Sequence, residues 1–373
     1  MKKKYRIILY TSIFLLCVVA SIILVVKKSN SVYEEESKPK VVKHKSMLSM
    51  NLEQTAGAGD YKTVTQSSWP TEGYKFNAEL SRCENGSTLS WDDTKKAVIV
   101  SGNLSDKCYV YFDIYQPTLA EYIKSQYTGT QGENGIYYHN STLTNGAGDN
   151  SYRYAGASDS VNNYICLGSD EATCPDANLF RIIGVFGDQT KVIRAKSVGD
   201  KQWHTSPNNT WSSSSLNTYL NGEYLTSLGT IAEKIATTTW KVGGRSSTYL
   251  YDVPTTAYQY EVGSSASTTT YDAKIGLMYV SDYGFAADQS GWTTKLGSYG
   301  SNSSKNWLYL GSFEWTISCD SDRTYGAFSV NSAGHVDGSG VGSSIGVRPS
   351  FNLESSVKYV SGSGSMSDPV RVN

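Results

Sequence analysis

The chain has 373 residues, room for two folded units rather than one small domain. Charged residues make up 18% of it, below the roughly 25% usual in soluble proteins, while 12% aromatics, with 28 Tyr among them, exclude a disordered chain. Residues 1–58 carry ten Lys and Arg against four Asp and Glu, and the rest 23 against 30, so the net charge of −1 hides a mildly acidic main body for which nucleic acid is not an expected partner.

In chain order, the first element is an uncharged run, Ile7 to Val26, inside "RIILYTSIFLLCVVASIILVVKK". As a helix it spans about 30 Å, the thickness of a bilayer's hydrocarbon. Lys2, Lys3, Lys4 and Arg6 precede it; Lys27 and Lys28 follow, with Glu34 to Glu36 beyond. This bias predicts a cytoplasmic N-terminus and an extracellular main body. A cleaved signal peptide is the weaker reading, because a cut after Ala20 leaves the apolar "SIILVV" behind. Leu16 before Cys17 argues against a lipoprotein, and the lack of an early Glu argues against a prepilin. Cys17 then reads as a small apolar helix residue. Residues 1–28 are expected to be a cytoplasmic tip and single-pass anchor, with residues 7–26 in the membrane.

Residues 29–58 alternate charge blocks, contain Pro39 and lack apolar periodicity, which predicts a flexible stalk with His44 solvated in it. Residues 59–116 read as a small β module. "KAVIVSG" and "CYVYFDIY" are strand-like with "NLSDK" as the turn between them, and "ENGSTLSW" carries a hairpin-type Asn-Gly. A module of this size has a marginal core, so a staple between Cys83 and Cys108 makes physical sense. It reads as a spacer or immunoglobulin-like module.

Residues 117–373 read as a β-rich domain with one or two helices, so the fold class is α+β. "PTLAEYIKSQY" predicts a short helix. "LFRIIGVFG" and "KVIRAKSVG" form a hairpin around "GDQT". "SSSSLNTYLNGEYLTSL" predicts a Ser-capped helix stopping near Gly222 or Gly229. "KIGLMYVSDYGFA", "NWLYLGSFEWTIS", "YGAFSVNSAGHV", "SIGVRPSFNL" and "VKYVSGSGSMSDPVRV" read as further strands or hairpins. Cys166 and Cys174 lie close in sequence, as a second local disulfide would, and two disulfides agree with an extracytoplasmic location. Cys319 is left over and is expected to be buried.

These motifs together, from about residue 118 to the end, resemble a domain of unknown function found in surface proteins of Gram-positive gut bacteria. The segment around Cys83 and Cys108 resembles a small module that accompanies it. The Gly-x-Arg-Pro strand near the end is similar to one in C-type-lectin-like and formylglycine-generating-enzyme-like folds. That likeness implies fold-signature roles for Gly346, Arg348 and Pro349: close backbone approach, a loop tied to a strand, and an end to ladder pairing. The alternative is a ligand-binding Arg348 at a pocket mouth. Neither relative's activity carries over. The lectin Glu-Pro-Asn or Gln-Pro-Asp and Trp-Asn-Asp triplets do not occur, and the oxidase pattern needs a close Cys pair where Cys319 stands alone.

Few residues point to chemistry. His44, His139, His204 and His335 show no metal-ligand spacing, so neither a metal nor a cofactor is expected. His335 and Asp337 read as a solvated turn rather than a base and its partner. Asp320 and Asp322 form an acidic loop without the Gly and closing Glu of a calcium hand. The "SDYG" stretch at 281–284 and Trp292 offer aromatic surface for a sugar, whereas Trp307 and Trp315 read as core. No catalytic set stands out, and the binding residues are not readable. The expected function is a membrane-anchored surface protein whose C-terminal domain binds a glycan or protein. The alternatives are a hydrolase of cell-wall or host glycans, which needs paired carboxylates, and a purely structural surface protein.

Overall fold

The computed structural model describes residues 48–65, 68–70, 72–103 and 105–373. The expected anchor at 7–26 and His44 lie outside them. Among the described residues, no helix is long and apolar enough to cross a membrane. The chain divides into two compact units between Tyr115 and Gln116.

The first unit is built on a five-stranded sheet and a separate hairpin, Thr88–Asp92 with Ala97–Ser101. Its central strand, Cys108–Ile114, pairs in parallel with Leu48–Glu53 and antiparallel with Tyr74–Phe76 and Arg82–Cys83. Leu48–Glu53 corrects the stalk boundary: the stalk cannot extend to residue 58. Met50 and Leu52 pack with Val110 and Phe112 into the core, under Trp69, Phe76 and Trp91. Glu53 is buried too, accepting the Ile114 N–H at 2.9 Å and the Gly59 N–H at 3.1 Å. Three further expectations change. "KAVIVSG" and "CYVYFDIY" do not pair with each other. The Asn85-Gly86 turn does not close a two-strand ladder; the Asp106 carboxylate holds it, accepting the Asn85 and Ser87 N–H groups. The hairpin with its two strands is too small to be the second sheet of an immunoglobulin-like sandwich.

The second unit, residues 116–373, contains a nine-stranded and a five-stranded sheet. In the larger sheet, Leu179–Phe186 and Gln189–Arg194 form the expected hairpin. Its two-residue turn starts at Gly187, whose φ of 65° suits glycine. Ser350–Leu353 adds to one side of this hairpin and Tyr164–Cys166 to the other. The last strand, Val370–Val372, pairs in parallel with Tyr164–Cys166. The smaller sheet runs Asp200–Gln202, Ser344–Gly346, Glu314–Cys319, Gly326–Val330, Val336–Gly340. One apolar core draws on both sheets, with Trp203, Trp211, Trp240, Trp307 and Trp315 buried in it.

The unit is α+β and mostly β, but one or two helices undercounts it. Leu119–Ser125 forms as expected, because Thr118 and Glu121 make a reciprocal capping box. The helix beginning at Ser215, capped by Ser214, passes through Gly222 in a π turn, Leu220–Tyr224, and ends at Ser227, just before Gly229, where φ is 55°. Pro254–Glu261 and Val280–Phe285 are further helices. The second replaces an expected strand: within "KIGLMYVSDYGFA" only Ile275–Gly276 is extended in a sheet. Likewise, in "NWLYLGSFEWTIS" the strand begins only at Glu314.

Candidate ligand cleft and buried charge cluster

Both expected disulfides are present, Cys83–Cys108 and Cys166–Cys174. The first staples two directly paired strand positions. Cys319 is free and buried, and burial pushes its thiol up to about 11, away from reactivity.

The Gly-Val-Arg-Pro stretch is where the chain passes from one sheet to the other. Ser344–Gly346 belongs to the five-stranded sheet and Ser350–Leu353 to the nine-stranded one. A Cβ on Gly346 would come 2.7 Å from the Phe313 carbonyl oxygen, so the close approach requires glycine. Pro349 accepts the Arg194 N–H at 3.0 Å. Arg348 is 1% exposed. Its Nε and Nη2 donate to the two oxygens of Glu314, and Nη2 also donates to the Leu308 carbonyl at 2.6 Å. Burial raises the Glu314 carboxyl, and Arg348 opposes that rise.

The residues suggested as a sugar platform are not on the surface. Trp292 is fully buried, and the 281–284 segment is buried throughout. Tyr283 spends its hydroxyl on the Gly334 carbonyl at 2.8 Å. Asp320 is buried against Arg323 at 2.9 Å, and Asp322 accepts from Ser246 and Ser247. His335 accepts the Gly300 N–H at 3.1 Å, so it is a structural acceptor. Among the described residues, no group of three His, Cys, Asp or Glu is placed to hold a metal.

A different place is concave. A cleft of about 780 Å³ opens where Glu133–Gly135, the strand Ile136–Tyr138, residues 154–162 and residue 363 converge. Its floor is apolar, with buried Ile136, Ala155 and Val161. Its rim is exposed Asn134, Ser160, Asn162 and Ser363. Tyr122 and Tyr137 line it. Tyr122 is fixed by stacking on Tyr359, ring centroids 3.6 Å apart, and burial pushes its hydroxyl up to about 12. Gly132 is required at one wall: its φ is 81°, and a Cβ there would lie 2.5 Å from the Tyr137 hydroxyl. Asp288 is the only carboxylate among the described lining residues. The Ser290 side chain, then the Ser290 N–H at 3.0 Å and nearby Lys305, hold its carboxyl below the usual range. The volume lies within the range of small-ligand sites. Nothing in the local pattern marks these residues, because segments more than 200 positions apart build the cleft.

Sequence reading also missed a buried charge cluster beneath the larger sheet. Lys191, in the middle of Gln189–Arg194, places Nζ 2.5 Å from Asp282 Oδ2. Arg153 places Nη1 3.6 Å from Asp282 Oδ1 and Nη2 2.6 Å from Asp149 Oδ2. Tyr279 donates its backbone N–H to Asp282 at 2.8 Å, which caps the helix Val280–Phe285. Glu261 sits at the same helix end, accepting the Val280 and Ser281 N–H groups, each at 2.8 Å, and the Ser318 hydroxyl. Burial pushes its carboxyl up to about 7 despite those donors. The local sequence carries little signal, since Lys191 sits in the mixed strand QTKVIR beside Gln189, Thr190 and Arg194.

No curated protein and no solved structure matches the chain significantly. A domain of unknown function, DUF6273, matches residues 187–355; this fits an uncharacterised domain, over a shorter span than the one expected from residue 118 onward, and the matched residues contain Lys191, Glu261, Asp282, Glu314 and Arg348 but not most of the cleft wall.

Proposed function

We propose that this is a membrane-anchored, cell-surface recognition protein whose second unit holds an oligosaccharide in the tyrosine-walled cleft. The observation that carries the reading is the cleft's make-up: an apolar floor, fixed tyrosines and a rim of amides and hydroxyls. Such a surface suits a ring that is apolar on its faces and hydroxylated at its edges. The hydrophobic run at 7–26 and the two disulfides support a position outside the cytoplasm. The hydrolase alternative has less behind it. Glycoside hydrolysis uses two carboxyls roughly 5–9.5 Å apart, and among the described lining residues Asp288 stands alone.

The test is a glycan array followed by calorimetry with the full chain in detergent. Saturable binding that Asn162→Ala and Asp288→Ala each weaken about tenfold, with the fold intact, supports the reading. Saturable binding that neither substitution changes removes the cleft from it, and no saturable glycan binding by the folded chain refutes it.

A further inference from the structure

The Lys191–Asp282 pair has no task in the ligand cleft, and its setting is unusual for an ion pair. Both side chains are buried, at 6% and 3% exposure. Aromatic rings enclose the ammonium: Tyr279, Trp240 and Phe186 centroids lie 4.6, 5.3 and 5.9 Å from Nζ. Burial lowers the lysine's affinity for its proton. Burial among aromatic rings disfavours the charged ammonium, and the neutral amine is the form that attacks a carboxyl carbon. With a C–O bond of about 1.2 Å, a nitrogen 2.5 Å from Oδ2 lies within about 3.7 Å of the carboxyl carbon. That approaches the separation of reacting atoms in a near-attack arrangement, about 3–3.5 Å.

We propose that Lys191 and Asp282 condense after folding into an intramolecular amide that cross-links the strand Gln189–Arg194 to the helix Val280–Phe285. The neutral amine attacks the Asp282 carboxyl carbon. The Nζ–Cγ bond forms, one Cγ–O bond breaks, and the departing oxygen leaves as water. Its two protons are the acid's own and one from the amine, so no oxidant, nucleotide or metal is consumed. Arg153, facing Oδ1, is placed to stabilise the negative charge that develops on the remaining oxygen. Glu261 interacts electrostatically with both Lys191 and Asp282. Condensation removes one positive and one negative charge together. What stays behind is the Arg153–Asp149 pair, which is already complete at 2.6 Å. The amide oxygen keeps a donor in either orientation, the Tyr279 N–H or Arg153. The sequence separation of the linked residues is 91 positions, so the product closes a long loop.

The experiment is mass spectrometry of the folded full chain, denatured and with its disulfides reduced, followed by proteolytic mapping. The expected result is a branched peptide joining the segments around Lys191 and Asp282, lighter than their sum by one water, with neither unlinked peptide abundant. Lys191→Arg and Asp282→Ala should both give the unlinked peptides at full mass. Unlinked Lys191 and Asp282 peptides from the folded wild-type chain would overturn the proposal, and they do so even if both variants fail to fold. A water loss that persists in Lys191→Arg would place the dehydration elsewhere and overturn it equally. Either result is independent of glycan binding.

Discussion

Replacing Arg348 with Met separates a structural arginine from a ligand-binding one. The guanidinium is fully buried and makes two hydrogen bonds to Glu314 and one to Leu308. Met fills much of the volume but leaves the Glu314 carboxyl buried without its counter-ion. Breaking a buried pair by removing one partner costs roughly 3–5 kcal/mol. At about 2–4 °C per kcal/mol for a unit this large, the midpoint should fall by about 10 °C. Glu314→Leu should cost a similar amount. The double variant removes both charges and should be far less destabilised than the sum, with a coupling of about 2–3 kcal/mol. Urea denaturation followed by fluorescence reports this well, since Trp203, Trp211, Trp240, Trp307 and Trp315 are all buried in the same core. A stability within about 1 kcal/mol of wild type for Arg348→Met would refute the reasoning, above all if ligand binding were lost at the same time.

Glu261 gives stability a pH dependence. Its folded carboxyl lies at about 7 against an ordinary 4.5, so the folded state holds the proton more tightly. Its contribution is fully present below pH 4.5 and is lost as pH rises through 7, by about 3 kcal/mol; Glu261→Gln should flatten that slope in urea titrations across the window. The disulfides should differ in value. By loop-closure entropy, Cys83–Cys108, 25 residues apart, contributes about 3.5 kcal/mol and Cys166–Cys174, 8 apart, about 2.5; paired Cys→Ala variants in urea check the order. Gly132→Ala should distort the Tyr137 wall and weaken any cleft ligand at least tenfold, and calorimetry beside circular dichroism distinguishes that from unfolding.

Local chemistry was readable where short-range interactions decide the structure. The 179–194 hairpin follows from an apolar strand, a second strand with Val192 and Ile193 at its centre, and a two-residue turn. The helix Leu119–Ser125 follows from Thr118 and Glu121. Other elements depend on distant partners. Leu48–Glu53 looks like the end of a charged stalk, and becomes a strand because Tyr61–Val64 pairs with one side of it and Cys108–Ile114, far along the chain, with the other. Val280–Phe285 sits in an apolar run that suits a strand equally well. Asp282 and Glu261 tip it to a helix by capping its first turn, and Glu261 comes from another helix. The cleft was the least readable region, since no single segment contains more than a fraction of its wall. Trp292 misled for a related reason: a Trp in a polar stretch looks exposed, yet His139, Tyr137 and Phe285 close over it.

The two ends of the 116–373 unit lie side by side. Asn373 donates to the Gln116 side chain at 3.1 Å, Tyr359 donates to the Pro117 carbonyl, and Thr118 bridges Lys358. A unit whose entry and exit coincide can be spliced into a surface loop of an unrelated host without a spanning linker. It can equally be circularly permuted, with new ends opened at an exposed turn such as Gly187-Asp188.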